Sequence, residues 1–239
     1  MINTLKRLIP HEFRQGLKRK LFYHQDMQAR LANLRRAGFM PTGAVDGGAY
    51  HGEWTLQLWQ VWSDCPMLLI EPQPNCHSQL AVVAAMVSGS RVEACALGKS
   101  CGVVSFTLGE TNSGIRSLDS GGDDAVIEVP LKTLDSLLAD SSSFSPNFLK
   151  LDLQGHELFA LEGASQVLYQ FEVVLLEISV LRIGEVPLFR EVDRFMEAKG
   201  YQIYDIVPQY YRPLDGALWQ IDAIYVKEAS PLISSRQWE

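Results

Sequence analysis

Several features that would assign this chain to a broad class are missing from it. No uncharged apolar run approaches the ~20 residues that a membrane-spanning helix needs, and no internal repeat is evident. The basic beginning lacks the long apolar core and small-residue cleavage site of a secretory signal. The four cysteines form no C-x-x-C pair, so we expect small core residues rather than a metal cage or disulfide frame. These absences favour a reducing, cytoplasmic compartment.

Basic residues are scarce beyond residue 40. Residues 1–40 hold nine of the 21 Lys/Arg and only two of the 28 Asp/Glu, a net charge of +7, which leaves −14 for residues 41–239. Apolar residues of the first segment recur three or four apart, with Pro10 interrupting them. We therefore expect a basic helical arm over 1–40 and a single domain over 41–239.

Three surfaces suit such an arm. It can pack on its own acidic body, on a second subunit in a homodimer, or on an anionic membrane. We favour the first two and consider membrane association unlikely. Nucleic acid is the weakest candidate, because the net charge of −14 on the body opposes phosphates.

Strand and helix patterns alternate through most of the domain. Apolar runs of strand length are separated by helical periodicity, which predicts an α/β fold with a doubly wound, mostly parallel sheet. The expected strands of this sheet are AVD (44–46), MLLIE (67–71), RVEACAL (91–97), NFLKLDL (147–153) and FEVVLLEIS (171–179). Residues 99–130 are expected to form an inserted hairpin, and YQIYDIV and WQIDAIYVK to form a terminal antiparallel pair.

The segment VDGGAYHGEW, residues 45–54, has three glycines within six positions after a short apolar strand. It is not G-x-G-x-x-G but D-x-G-A-x-x-G. We expect Gly47, Gly48 and Ala49 to form a turn beyond Asp46, and Gly52 to open a helix whose N-terminus carries partial positive charge. Such a turn lets a cofactor lie against backbone.

The next strand ends in Glu71, 23 residues after Gly48. A carboxylate there can hold the two hydroxyls of an adenosine ribose. Both a nicotinamide dinucleotide and S-adenosylmethionine contain that ribose. We favour S-adenosylmethionine, because Asp46 would repel a pyrophosphate but can pair with the methionyl ammonium. Helix N–H groups, aided by Thr55, would hold the carboxylate.

Five segments occur in the order and spacing of the FkbM-type methyltransferase family, over about residues 42–180. These are AVDGGAYHGEWTLQL, LLIEPQP, VPLKTLDSLL, FLKLDLQGHELFALEGA and VVLLEIS. KLDLQGHE resembles the family's distinctive K-x-D-x-E-G-x-E. The resemblance implies a class I, Rossmann-like methyltransferase that uses S-adenosylmethionine, usually on a hydroxyl oxygen.

The resemblance also implies roles for single residues. It places four residues at the methionine end of the cofactor, namely Asp46, Gly48, Ala49 and Gly52. Glu71 would bind the ribose, Ala96 and Leu97 would lie near the adenine, and Asp152 would face the methyl group. We include the neighbouring Gly47 and Pro72 in the predicted cofactor site.

Proton transfer from a hydroxyl acceptor needs a base, and the segment after the fourth strand supplies candidates. We predict catalytic roles for Asp152 and for His156, whose ordinary pKa suits a base. Glu157 and Glu177 are further candidates; a structural role in the first turn of the helix is favoured for Glu157, and Glu177 could equally be structural. The family's usual glutamate is Gln154 here, which cannot accept a proton at neutral pH. A scaffold that binds the cofactor without catalysis is therefore an alternative, with an NAD-dependent oxidoreductase less favoured. We expect no metal, because few acids converge.

The acceptor is expected to be a glycan or another small hydroxylated metabolite. Tyr210 and Tyr211, taken to lie on a loop before the last strand, could close over it. Asn112, Ser113 and Arg116 could reach it, and the basic arm is expected to border its site.

Overall fold

The computed structural model describes residues 26–108, 114–115, 125–139, 144–235 and 237. Its six helices are α1 Met27–Arg36, α2 Glu53–Val61, α3 His77–Ala84, α4 Leu134–Leu138, α5 Glu157–Glu162 and α6 Phe189–Ala198. Its strands are β1 Ala44–Gly47, β2 Met67–Ile70, β3 Arg91–Glu93, β4 Ala96–Leu97, β5 Gly102–Thr107, β6 Gly114–Ile115, β7 Val126–Lys132, β8 Phe148–Leu151, β9 Val173–Ser179, β10 Tyr201–Tyr211 and β11 Leu218–Lys227.

Seven strands form the main sheet, in the order β3-β2-β1-β8-β9-β11-β10. Five strands, β3, β2, β1, β8 and β9, run parallel to one another, whereas β11 lies antiparallel to both β9 and β10. The strand order reverses beside β1, where parallel sheets bind their ligands. The predicted doubly wound sheet with an antiparallel ending is confirmed.

Alternate residues of the central strands enter two separate cores. Val45, Leu149 and Val174 belong to one cluster of buried side chains, whereas Ala44 and Phe148 belong to the other. A sheet covered by helices on both faces needs apolar residues at every position, which explains the short continuous apolar runs of β1, β8 and β9.

A second, four-stranded sheet runs in the order β4-β7-β5-β6. It contains the predicted hairpin, because β5 and β7 are antiparallel. The prediction of one strand over 91–97 was wrong. The amide of Cys95 bonds back to Glu93 O at 3.1 Å, and Ala96 then pairs with Leu131 of β7. The chain thus leaves the first sheet and enters the second within three residues.

Two other local predictions were wrong. The pattern of GHELFALEGASQVL predicts one helix over 155–168, but α5 ends at Glu162. There Gly163 approaches Gly98 so closely that a Cβ on Gly163 would lie 2.1 Å from the carbonyl oxygen of Gly98. Tyr210 and Tyr211 lie at the end of β10 rather than on a loop, because β10 pairs with β11 as far as Tyr211.

Helix α1 is the part of the predicted arm that the structure describes, since residues 1–25 lie outside the described residues. Asp26 caps its N-terminus by accepting hydrogen bonds from the amides of Gln28 and Ala29. Arg30 pairs with Asp205 of β10, which fixes the helix to the antiparallel end of the sheet. Asn112, Ser113 and Arg116 also lie outside the described residues. Within the described residues no helix combines the length and apolar character that crossing a membrane requires.

Candidate active site

The turn after β1 is shaped by contacts with its own chain. Gly48 has φ +73°, and a Cβ there would lie 1.9 Å from the carbonyl oxygen of Asp152. Gly47 lies against Leu151, with no room for a side chain. Gly52 is the N-cap of α2 with φ +87°. The glycines therefore bring β1, β8 and α2 together, and the prediction that they exist chiefly to admit a ligand was incomplete.

Asp46 is completely buried below this turn. Its Oδ1 lies 3.1 Å from Nζ of Lys150, and Oδ2 accepts a hydrogen bond of 2.6 Å from the Thr55 hydroxyl. Asp46 and Thr55 therefore face each other and line neither of the two cavities described below. The expectation that Asp46 meets the methionyl ammonium, and Thr55 its carboxylate, is not matched by this placement.

Lys150 is the cation that compensates Asp46. Besides this ion pair, its ammonium donates to Gly48 O at 3.0 Å and lies 3.6 Å from Oδ2 of Asp152. Burial alone would lower the pKa of Lys150, but attraction to Asp46 and Asp152 outweighs burial and raises it. Lys150 therefore stays charged and joins the ends of β1 and β8.

A cavity of about 370 Å³ opens at the carboxyl ends of β1, β2 and β8. Six of the eleven predicted cofactor residues line it, namely Gly48, Glu71, Pro72, Ala96, Leu97 and Asp152. His156 lines it too, and Ile70, Cys95 and Phe106 add apolar walls. Gly47 and Gly52 do not line it and serve packing. This volume lies within the usual range of ligand pockets.

Glu71 has a fixed orientation inside this cavity. It is only 3% exposed, and its two oxygens accept hydrogen bonds from the amides of Tyr50 (2.8 Å) and Gln73 (3.0 Å). Burial raises the pKa of Glu71, and these two amide donors partly oppose the rise. Each carboxylate oxygen retains a second lone pair, so both can still accept from a pair of neighbouring hydroxyls.

A second cavity, of about 930 Å³, lies on the other side of the Gly48 turn, beside α1 and α2. Ala49, the remaining predicted cofactor residue, lines this cavity. Its walls combine carboxyl, amide and aromatic side chains, namely those of Asp26, Gln28, Tyr50, Glu53, Trp54, Gln57, Gln60, Asp152, Glu177, Tyr210 and Asp222. Lys150 is the only basic side chain among the described residues that line it.

The two cavities meet. Five residues line both of them: Gly48, Tyr50, Asp152, Glu177 and Tyr210. These five residues form the junction of the two cavities. His156 lines the smaller cavity alone, whereas Glu177 and Tyr210, for which the sequence left a structural role open, lie at the junction.

The turn after β8 carries an unusual backbone conformation. Gln154 has φ +54°, which is uncommon for a residue with a side chain. Glu157 holds this turn, since its Oε1 accepts from the amides of Leu153 (2.6 Å) and Gly155 (3.2 Å). Burial raises the pKa of Glu157 to about 7. Glu157 lines neither cavity and acts on the shape of the turn.

His156 and two carboxyls complete the titratable groups of this edge. Burial lowers the pKa of His156, so the ring is neutral at pH 7 and can accept a proton. Glu177 of β9 lies opposite Asp222 of β11 in the sheet register. Burial, reinforced by the negative charge of Asp152, raises the pKa of Glu177 and brings that of Asp222 to about 8. Within the described residues, no group of three or more His, Cys, Asp or Glu has a metal-binding arrangement.

A family model described as the methyltransferase FkbM domain matches residues 46–203, which is about two thirds of the chain. The chain belongs to this FkbM methyltransferase family. No curated protein sequence matches it. A solved structure of methyltransferase FkbM from Methylobacillus flagellatus KT is similar, with 20% identity and a TM-score of 0.50 over 76% of this chain. The match covers 43% of that protein, so this FkbM-family chain spans less than half of its length.

A second similar structure is the magnesium protoporphyrin IX methyltransferase from Synechocystis PCC 6803 with bound SAM. It shares 11% identity with a TM-score of 0.48, over 87% of this chain and 80% of that one. Another is a ribosomal protein L11 methylase from Lactobacillus delbrueckii subsp. bulgaricus, with 14% identity and a TM-score of 0.46, over 84% and 78%.

Sequence reasoning missed Lys150 and Asp222 and undervalued Tyr210. A signal for the first two exists in this FkbM-family chain. Lys150 interrupts the apolar run FLKL and Asp222 interrupts WQIDAIYV. A charged residue inside a buried strand requires a partner or a shifted pKa, so these interruptions mark candidate site residues.

Proposed function

We propose that the chain transfers a methyl group from S-adenosylmethionine to a hydroxyl oxygen of a glycan or another small polyhydroxylated metabolite. The observation that carries this proposal is the junction of the two cavities at Asp152, Glu177 and Tyr210. A cofactor in the smaller cavity and an acceptor in the larger one would meet beside two carboxyl groups. Holding two reactants in line can contribute up to ~7–11 kcal/mol of the barrier.

The smaller cavity suits S-adenosylmethionine. Glu71 presents two oriented oxygens to a ribose, and Ile70, Cys95, Ala96 and Leu97 offer an apolar surface to an adenine. Asp152 and Glu177 provide a negative environment for a ligand that carries an ammonium and a sulfonium. When bound, such a cofactor supplies an electrophilic methyl group with a good leaving group.

A dinucleotide suits the same cavity poorly. A pyrophosphate needs donors or cations, and the described residues that line the smaller cavity include no Lys or Arg. Nearby Lys150 is already engaged by Asp46 and the Gly48 carbonyl. The carboxyl of Asp152, which lines the same cavity, would repel phosphate oxygens placed there.

The larger cavity supports the acceptor class. Amide and carboxyl groups can each hydrogen-bond hydroxyls, and aromatic rings such as Trp54 and Tyr210 pack on the apolar faces of sugar rings. The shortage of basic side chains among its described walls disfavours phosphorylated or otherwise anionic acceptors. The described cysteines are all free, which supports the proposed reducing, cytoplasmic compartment.

Calorimetry and methyl transfer test the proposal together. We expect heat of binding with S-adenosylmethionine and S-adenosylhomocysteine but none with NAD. Methyl-labelled cofactor, incubated with a panel of neutral oligosaccharides and polyols, should then yield a labelled methyl ether. Glu71→Gln should lose affinity for the cofactor, whereas the exposed control Glu197→Gln on α6 should keep it.

Each failure has a separate meaning. Binding of NAD without S-adenosylmethionine would favour an oxidoreductase. Cofactor binding without any transfer, even in the presence of whole-cell extract, would favour the non-catalytic scaffold. Label on nitrogen instead of oxygen would refute the hydroxyl acceptor while keeping the methyltransferase.

A further inference from the structure

Gln154 bridges two carboxyl groups at the junction of the cavities. Its Nε2 donates to Oδ1 of Asp152 at 3.0 Å and to Oε2 of Glu177 at 3.2 Å. Asp152 follows β8 and Glu177 lies in β9, so one amide group joins side chains of two neighbouring strands. Both protons of the amide are thereby used, one on each carboxyl.

Asp152 and Glu177 are brought together by this shared amide donor, and both line the two cavities. Burial, and then the negative charge of Asp152, raises the pKa of Glu177. Glu177 therefore keeps its proton near neutral pH, and a protonated carboxyl can donate a hydrogen bond to a neighbouring carboxylate.

The backbone is arranged to place Gln154 in this position. Its φ of +54° is maintained by Glu157, which accepts from the amides on either side of it, those of Leu153 and Gly155. A Cβ on Gly155, which has φ +96°, would lie 2.4 Å from the side chain of Val186, so a residue larger than glycine is disfavoured at this position of the turn. Strained residues over-determined by their surroundings cluster at functional sites.

We propose that Asp152 and Glu177 act as one carboxyl pair that accepts the proton of the hydroxyl, and that Gln154 is the positioning residue that holds the pair together. This inference rests on the proposed function. As the hydroxyl oxygen bonds to the methyl carbon, the carbon–sulfur bond breaks and its electron pair stays on sulfur. The hydroxyl proton moves to the ionised carboxyl of the pair. A methyl ether and a neutral thioether result, and the doubly protonated pair returns one proton to water.

The pair, rather than His156, is in place for this step. Asp152 and Glu177 line both cavities, whereas His156 lines only the smaller one. The charged and titratable groups that face Glu177 are Asp152 after β8, Glu157 of α5, Asp222 of β11, Tyr210 of β10, and Lys150 of β8 across the larger cavity. Burial first, and then the charges of Asp152, Glu157 and Asp222, opposes ionisation of Glu177, which keeps the proton on this carboxyl.

The position of Gln154 explains why an amide matters in this chain. A glutamate there would place a third carboxyl within about 3 Å of the other two, at the contacts that Gln154 now makes. A third negative charge raises the pKa of its neighbours. The amide instead donates to both, so it stabilises the charged form of the pair.

The pH dependence of turnover tests the pair. In the wild type, kcat/KM should rise with pH through one acid limb as the pair becomes singly ionised. Gln154→Glu should move this limb to higher pH by about one unit or more, since it adds a like charge in contact. Asp152→Asn removes the accepting carboxylate and should lower kcat by ~10²–10⁴-fold, the usual contribution of a general base, whereas Glu177→Gln keeps a donor at the position of the protonated carboxyl and should lower kcat less. His156→Asn should leave the limb at the wild-type pH, and loss of the limb in this variant would overturn the proposal.

A second measurement is independent of cofactor and turnover. We expect urea denaturation of Gln154→Glu to show stability falling as pH rises from 5 to 8, more steeply than in the wild type, because an acid whose pKa is raised by folding loses stability in that direction. The exposed substitution Glu197→Gln should follow the wild-type curve. Parallel curves for Gln154→Glu and the wild type would refute the close carboxyl pair held by Gln154, whether or not methyl transfer is observed. Failure of the proposed function alone would leave this pH difference intact.

Discussion

Replacement of Lys150 by methionine tests whether this lysine stabilises the fold by compensating the buried charge of Asp46. Asp46 is completely buried, and among the described residues its ion-pair partner is Lys150, whose Nζ lies 3.1 Å from Oδ1. Removing one partner of a buried ion pair leaves an uncompensated charge and typically costs ~3–5 kcal/mol. We therefore expect the free energy of unfolding of Lys150→Met to fall by about that amount at pH 7.

The double variant Asp46→Asn/Lys150→Met separates charge from packing. It removes both charges while keeping side chains of similar size, so most of the lost stability should return. Urea denaturation followed by fluorescence measures all three chains, with an unchanged m-value as the sign of an unchanged folded state. Lys132→Met provides the matched control, because Lys132 pairs with Glu93 at a partly exposed site and such pairs contribute about 0–1 kcal/mol.

Two results would refute this reasoning. Lys150→Met as stable as the wild type would show that Asp46 is not ionised or is reached by water. A double variant as unstable as Lys150→Met would show that the lysine acts through its hydrogen bond to the Gly48 carbonyl and not through Asp46. In the expected case the double variant folds but binds S-adenosylmethionine more weakly, since the Gly48 turn has lost this tether.

Three further predictions concern single positions. Gly48→Ala should abolish cofactor binding in calorimetry and lower the melting temperature, because its Cβ would lie 1.9 Å from the carbonyl oxygen of Asp152, whereas Gly184→Ala, with a similar φ of +76° and open space, should keep binding. Glu71→Gln should weaken cofactor affinity by about 10–100-fold in the same assay, the loss expected for a charged hydrogen bond. Folding raises the pKa of Glu157 from 4.5 to about 7. As the pH rises between those values, the free energy of unfolding of the wild type should therefore fall by ~3 kcal/mol, a loss that Glu157→Gln should not show. Equal slopes of the two proteins in pH-dependent urea denaturation would contradict the shift.

The smaller cavity, proposed to hold the cofactor, could be predicted from sequence because it depends on local order. Parallel strands end at one edge of the sheet, so residues directly after successive strands meet there. Gly48, Glu71 and Asp152 directly follow β1, β2 and β8, whereas Ala96 and Leu97 form β4 shortly after β3, and all five line the smaller cavity. Finding them needs only strand boundaries correct within about two residues.

The remaining site could not be read in this way because it depends on partners distant in the chain. Asp46 and Lys150 are 104 positions apart, and the parallel register of β1 and β8 makes them neighbours. Glu177 and Asp222 are likewise brought together by the antiparallel register of β9 and β11. The sequence shows each charge within an apolar run but not its partner, so Asp46 was assigned to the cofactor rather than to Lys150.

The charges at the carboxyl edge of the main sheet favour a positively charged ligand. Asp46 and Asp152 share Lys150, at 3.1 and 3.6 Å, so the carboxyls of Asp152, Glu177 and Asp222 outnumber the positive charge near them among the described residues. Burial first, and then the negative charge of Asp152, raises the pKa of Glu177 and of Asp222, which keeps protons on these carboxyls. A positively charged ligand relieves the repulsion among these carboxyls in the same way and competes with those protons. Affinity for S-adenosylmethionine should therefore increase with pH, whereas an anionic cofactor would add to the repulsion that the protons now offset.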